Sequence, residues 1–314
     1  MALTKKQIER ILAVSRYYYQ DDLSQQEIAR KMDLSRPTVS KSLQLARDNH
    51  IVTINIHDPF EDTGVMREQL RTKYQLKDVV IAEQANYDEQ GILEQLGAVT
   101  ADYLDEIVTD GVTIGINWGR TMEAVANHLH ASHNRNVRLV QLKGSVTNSS
   151  EDNFSADITQ KFNRAFHTQA SLLPLPIVFS DARIKQLAMT DQFIKQVVAQ
   201  GDAADIALYT VGTTRPTAML FQSGYLDDQQ IHQLQTDAVG DVLSHYITAT
   251  GALAAPDLDQ RTVSIPLERL SKKRYAILVA GGQAKLQPIH AALVGHHANV
   301  LIVDQAVAKA LLRL

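Results

Sequence analysis

The sequence predicts an α/β protein: a small helical module with a wing at the N-terminus, then a large domain with a mostly parallel sheet flanked by helices. Three observations predict it. Two closely spaced helix starts with good caps lie before residue 50. From residue 79 onward, six β-rich runs mostly alternate with amphipathic helical stretches. Several of those runs end in glycine-containing turns.

The elements follow in order. Residues 5–20 form an amphipathic helix with Ile8, Ile11, Leu12, Ser15, Tyr18 and Tyr19 running along it. Ser24 and Glu27 make an S-x-x-E capping box, so a second helix starts there. Ile28 and Ala29 face inward, and Ala29 is small enough for another helix to cross closely. Asp33 and Leu34 make the turn, Ser35 caps the third helix, and Pro37 falls in its first turn, where a missing N–H does little harm. Val39 and Leu43 then share one face. Arg36, Thr38, Ser40, Lys41 and Gln44 are left for the other.

That arrangement is a helix-turn-helix, the module that lays a short helix in the DNA major groove. Ser24, Gln25, Ser35, Arg36, Pro37, Thr38, Ser40, Lys41 and Gln44 are the expected DNA-facing residues. A generic helical hairpin also has a polar outer face. The joint spacing of caps, small residue, turn and basic face favours DNA. Residues 51–56 alternate in a β pattern and read as the wing, and 57–62 break it. The domains are therefore expected at 1–57, for DNA binding, and 58–314, for effector binding and oligomerisation. A helix over 64–75 leads into the second.

In the large domain the β-rich runs are 79–82, 112–116, 137–142, 206–211, 275–280 and 300–303. Helical stretches include 89–109, 120–130, 154–166 and 286–295. Glycine turns follow at Gly115 to Gly119, at Gly144, at Gly212-Thr213 and at Gly281-Gly282. In open α/β sheets, ligands bind at the carboxyl ends of strands.

Composition narrows the function classes. The chain has 314 residues, of which 45% are hydrophobic and 21% charged, ordinary for a globular protein of two domains. It has no cysteine, which excludes disulfide scaffolds and thiolate metal sites and fits a cytoplasmic location. No apolar run reaches transmembrane length, and the N-terminus lacks the apolar core of a signal peptide, so no membrane partner is expected. Net charge is −4, yet residues 1–56 carry nine Lys/Arg against six Asp/Glu. A mildly basic small domain on an acidic large one suits a protein that offers one end to DNA. So small an excess binds weakly alone, and a homo-oligomer, dimer or tetramer, is expected. The eleven histidines form no metal motif. His128 and His130 diverge, and the adjacent His296 and His297 are expected to be solvated. Neither metal nor cofactor is expected.

With both halves in view, the chain resembles the SorC-type sugar-responsive transcriptional regulators. The resemblance rests on the signature from Ser24 to Lys41, on Gly115 to Thr121, on Val211-Gly212-Thr213, on Val239-Gly240-Asp241, and on Ala280-Gly281-Gly282 with Lys285. Within the family it is nearest the branch that governs deoxyribonucleoside breakdown, through Val140 to Gly144, Leu173 to Phe179 and Ala298 to Gln305. The resemblance implies a large domain with the fold of sugar-phosphate isomerases, used to sense rather than to catalyse. It implies an oligomeric repressor released from operator DNA by a sugar phosphate, deoxyribose 5-phosphate by this likeness.

Lys143 is the strongest effector-site candidate, because it ends the run 137–142. Burial would lower its pKa and leave free amine, which can condense with the open-chain aldehyde of a pentose phosphate. Simple ion pairing with phosphate or a carboxylate is the alternative. Gly144 and Ser145 are expected to line the site beside it. Phosphate needs backbone N–H groups and positive charge. Gly115, Asn117, Gly119 and Thr121 offer one such turn, Gly281, Gly282 and Lys285 a second, and Gly212 with Thr213 a third. By resemblance, Lys285 would contact phosphate. Ordinary strand-to-helix reversals also use glycine. Asp241 could accept a sugar hydroxyl or cap a strand, and Trp118 could shape the pocket or belong to the core. A competing function is an active sugar-phosphate isomerase or aldolase-like enzyme. Against it, no carboxylate or histidine base lies beside Lys143 in sequence. A regulator answering to another sugar or polyol phosphate is the third possibility.

Overall fold

Helices α1 (Lys5–Tyr19), α2 (Gln25–Lys31) and α3 (Arg36–Asp48) build the N-terminal unit. Thr4, Ser24 and Ser35 cap them, each side chain accepting a backbone N–H from the third residue onward, worth about 1 kcal/mol apiece. Between α2 and α3, Asp33 takes a positive φ of 52° and the Leu34 N–H reaches back to the Ala29 carbonyl at 2.9 Å. That closure stops α2 and turns the chain into α3. Val14, Ile28, Ala29, Val39 and Leu43 form the small core. In α1 the buried face runs through Ile11, Val14 and Ser15, while Ile8, Leu12 and Tyr19, expected on it, are exposed. The inward ridge starts at Ile11 and continues three and four residues later. Ile51 and Val52 form a bend, both N–H groups reaching the Ala46 carbonyl.

These helices belong to a computed structural model that divides into two units, Met1–Glu61 and Asp62–Leu314. It describes residues 4–49, 51–52, 62–83, 88–146, 154–222 and 224–314. Most of the expected wing and the expected boundary at 57–58 lie outside the described residues.

The second unit opens with α4 (Thr63–Lys73) and the strand β1 (Asp78–Ala82). Next come α5 (Glu89–Ile107), β2 (Thr113–Ile116), α6 (Arg120–His128), β3 (Arg138–Gln141) and α7 (Ser155–Ala165). The remaining strands are β4 (Ile206–Tyr209), β5 (Val211–Thr213), β6 (Gly240–Val242), β7 (His245–Ile247), β8 (Tyr275–Val279) and β9 (Val300–Asp304). Six of them form one wholly parallel sheet in the order β1-β9-β8-β4-β2-β3. β5, β6 and β7 form a small antiparallel sheet.

Strand residues alternate between two cores. Ile206, Leu208, Ile277, Val300 and Ile302 enter one, with helix residues such as Leu96, Met122 and Phe162. Ala207, Tyr209, Leu278, Leu301 and Val303 enter the other, with Leu70, Ile289 and Leu311. Burial on both faces explains why β2, β4 and β9 are buried along their whole length. It also explains why the sequence reads there as unbroken apolar runs. From β2 the chain moves outward to β3, then returns to place β4 on the other side of β2 and proceeds through β8 and β9. The strand order therefore reverses between β2 and β4.

Candidate functional site

At that reversal a cavity of about 450 Å³ opens beyond the carboxyl ends of the strands, where ligands bind in open α/β sheets. The loop after β2 contributes Asn117, Trp118 and Gly119 to its wall, and the start of α6 contributes Arg120 and Thr121. Lys143 enters from two residues past β3, and Lys285 from the turn after β8. Gly212 and Thr213 line it from β5, and Asp241, Ser244 and Tyr246 from the hairpin β6–β7. Among the described residues its charged lining is three cations, Arg120, Lys143 and Lys285, against the one carboxylate of Asp241.

Lys143 is buried, with its Nζ 3.8 Å from the centre of the Trp118 ring and donating to Ser244 Oγ at 3.3 Å. Its backbone is held by neighbours: the Leu142 N–H reaches the Ile116 carbonyl and the Gly144 N–H the Val263 carbonyl, each at 2.9 Å. Burial pulls its pKa down from 10.5 to about 8, which Asp241 partly offsets. A share of free amine is therefore present near neutral pH. Trp118 is also buried, and its Nε1 donates to the Gly144 carbonyl at 3.0 Å, so it both shapes the cavity and belongs to the core.

Lys285 donates to Thr121 Oγ1 at 3.2 Å and to Thr210 Oγ1 at 3.1 Å. Burial lowers its pKa to about 8 too, against the opposing pull of Asp241 and Glu89. Neutral hydroxyls are its direct partners, so its charge is available to an anion. Arg120 sits beside it at the first turn of α6 and pairs with Glu89 at 2.8 Å. The first N–H groups of α6 have no helical acceptor, and Gly119 precedes them at φ +125°, a conformation suited to glycine. Asn117 is buried, and its Oδ1 has no hydrogen-bond partner among the described residues. The wall thus holds an acceptor that lacks a donor, beside cations without a full complement of anions. Its chemistry suits a phosphate and hydroxyl groups, and Lys143 adds a buried amine to the wall.

Nine of the expected effector residues meet here: Asn117, Trp118, Gly119, Thr121, Lys143, Gly212, Thr213, Asp241 and Lys285. Five do not line the cavity. Gly115 lies within β2 against the Leu142 side chain, and Gly144 packs on the backbone of Leu175 and Pro176. Ser145 donates to the Leu173 carbonyl. Gly281 and Gly282 lie against Asp304, whose carboxylate accepts the Gly282 N–H at 2.7 Å and so fixes the turn that carries Lys285. Gly212 and Thr213 belong to a strand rather than the expected turn, and Gly212 pairs with Asp241. His297 is buried, not solvated, and bonds the Gly251 carbonyl. Sequence reasoning missed Arg120, Thr210, Ser244, Tyr246 and the stretch Thr217 to Leu220. Asp241 is remote from Lys143 in sequence, yet it lies in the same cavity.

The model for the family described as "Putative sugar-binding domain" matches residues 58–313. The deoxyribonucleoside regulator of Bacillus subtilis is 40% identical over 300 residues, covering 96% of each chain. The chain belongs to the SorC-type sugar-binding transcriptional regulators. The full-length sorbitol operon regulator SorC of Klebsiella pneumoniae has a similar structure, with a TM-score of 0.72, 26% identity and coverage of 98% of this chain and 100% of that one. A DeoR family regulator from Listeria monocytogenes shares the fold of the large unit at a TM-score of 0.72 and 22% identity, over 79% of this chain and 99% of that one. These relatives are named regulators, so this chain is a transcriptional regulator with a sugar-binding domain, not an enzyme. No described helix is long and apolar enough to cross a membrane.

Proposed function

We propose that this regulator represses genes of deoxyribonucleoside catabolism and leaves its operator when deoxyribose 5-phosphate fills the cavity. The observation that carries this reading is the pairing in one cavity of a buried lysine, Lys143, with a second, Lys285, held by hydroxyls. Lys285, Arg120 and the first turn of α6 hold the phosphate. The free amine of Lys143 attacks C1 of the open-chain aldehyde, water leaves, and a Schiff base remains. Asn117 and Asp241 accept sugar hydroxyls. The 40% identity to a deoxyribonucleoside regulator supports the choice of effector.

In the N-terminal unit, α2 and α3 act as the helix-turn-helix, with α3 in the major groove. Arg36, Ser40, Lys41 and Gln44 are exposed on α3, which supports that docking. Ser24, Gln25, Ser35, Pro37 and Thr38 contact the backbone around it. The working form is a cytoplasmic homo-oligomer, dimer or tetramer, since one such helix reads too few base pairs alone. Effector must bind the operator-free state more tightly than the operator-bound one to cause release.

The test is intact mass after incubation with deoxyribose 5-phosphate and borohydride, with Lys143→Ala in parallel. The expected result is one adduct in the wild type and none in the variant. The likeness to a sorbitol operon regulator favours a polyol phosphate as the second reading. A polyol has no aldehyde, so it would release operator without any adduct.

A further inference from the structure

The hairpin β6–β7 turns through Leu243 and Ser244, at φ 52° and 70°. A two-residue hairpin turn with both φ positive is ordinarily built from Asn and Gly. This one uses neither, and such strain persists only where the surroundings impose it. Leu243 is fully buried in the core that includes Val242 and Ile247. The Ser244 N–H donates to the Asp241 carboxylate at 2.8 Å. The result of the turn is that Ser244 Oγ faces the cavity and accepts from Lys143 Nζ.

We infer that Ser244 is a positioning residue for Lys143: the strained turn holds its hydroxyl where it fixes the amine between itself and the Trp118 ring. The inference deepens, and rests on, the covalent reading of the effector site. With one N–H held by Ser244 and the nitrogen seated over the Trp118 ring, the amine is fixed in the cavity wall before a carbonyl carbon arrives. The amine forms the C–N bond, the carbonyl oxygen takes up a proton, nitrogen loses one, and the oxygen departs as water to leave the imine. Orientation before attack raises the rate of the first step. The hydroxyl also accepts from the protonated lysine, so it favours the charged form. Among the described residues, the other charged or titratable groups facing this cavity are Asp241 on β6, Tyr246 on β7, Lys285 after β8 and Arg120 on α6, the last paired with Glu89.

The experiment follows the rate of borohydride-trapped adduct against pH in the full-length wild type, Ser244→Ala and Ser244→Gly. Glycine takes the positive φ freely, so the glycine variant keeps the turn without the hydroxyl. Both variants are expected to lose about tenfold in plateau rate, the size of one hydrogen bond to a charged group. Their half-maximal pH is expected to fall below that of the wild type, because the ammonium has lost an acceptor. Binding of the reduced sugar, deoxyribitol 5-phosphate, which cannot form an imine, should change less than threefold, or about 0.7 kcal/mol. Unchanged rate and midpoint in both variants would overturn the role of Ser244. If the wild type itself gives no adduct, the Schiff-base reading fails, and the role of Ser244 is decided by NMR of lysine labelled with 13C at Cε, assigned by Lys143→Arg. A lower Lys143 titration midpoint in Ser244→Ala and Ser244→Gly supports it, and an unmoved midpoint overturns it.

Discussion

A Cβ at Gly212 would stand 1.9 Å from Oδ1 of Asp241, the residue it pairs with across β5 and β6. The glycine exists so that this carboxylate can lie flat over the strand and face the cavity. Gly212→Ala is therefore expected to expel Asp241 from its place. The fold should survive with a loss of about 1–3 kcal/mol, typical of overpacking. Effector affinity should fall about tenfold or more. Calorimetric titration with deoxyribose 5-phosphate, alongside urea unfolding, separates the two effects, and a wild-type affinity would contradict the role given to Asp241.

Lys285→Met keeps the bulk of the side chain and removes its charge. Affinity for the sugar phosphate is expected to fall at least about tenfold, the value of one charge-assisted hydrogen bond. Thr121→Val, which removes only a hydroxyl partner of Lys285, should cost a few fold, or about 0.5–1 kcal/mol. If Lys285→Met binds inorganic phosphate and the effector as the wild type does, the phosphate lies elsewhere.

Both buried lysines also make stability depend on pH. Each has a folded pKa of about 8, below the ordinary 10.5. Well below pH 8 both are protonated in the folded and the unfolded chain, and the cost of burying two ammonium groups is present in full. As pH rises from about 8 toward 10, the unfolded chain holds protons that the folded chain has released, so the free energy of unfolding rises. The upper bound is about 3 kcal/mol per lysine. Tyr209 and Tyr246, whose ionisation burial opposes, reverse the trend above about pH 10. Lys143→Met and Lys285→Met should each be more stable than the wild type at neutral pH and show a shallower rise. Equal slopes in urea-unfolding series of all three proteins would show that neither lysine is shifted.

On the N-terminal unit, Arg36→Ala or Gln44→Ala is expected to abolish operator preference, at about 1–3 kcal/mol per lost base contact. Effector binding should stay intact. Footprinting of both variants on operator and on unrelated DNA reads this directly. Unchanged operator footprints in both would refute the assignment of α3 as the recognition helix.

The sequence made the parallel sheet legible because its strands are buried on both faces and so stand out as apolar runs. Lys143 and Lys285 were legible because each follows such a run closely. The antiparallel hairpin was not. Its strands are three residues long, and its turn, Leu243-Ser244, contains neither of the residues that ordinarily announce one. Gly212 misled in the opposite direction. A glycine normally punctuates a turn, and here it makes room for a carboxylate from the next strand. Gly115 and Gly144 misled likewise, because each serves close packing beneath the cavity rather than the cavity itself. Ser244 and Tyr246 reach the site from about 100 residues beyond Lys143, a juxtaposition that only the fold supplies.

Among the described strands β1 pairs with β9 alone, and Asp304 at the end of β9 fixes the turn that carries Lys285. The sheet therefore waits for β9, at Val300–Asp304, whereas the N-terminal helices are complete by Asp48. During synthesis, which proceeds from the N-terminus, the two halves mature at different times. A nascent or shortened chain has its proposed DNA-binding helices and no finished sensor. Such a fragment lacks both the finished sensor and the unit proposed to assemble the chain, so an early stop codon in this gene is expected to weaken operator binding.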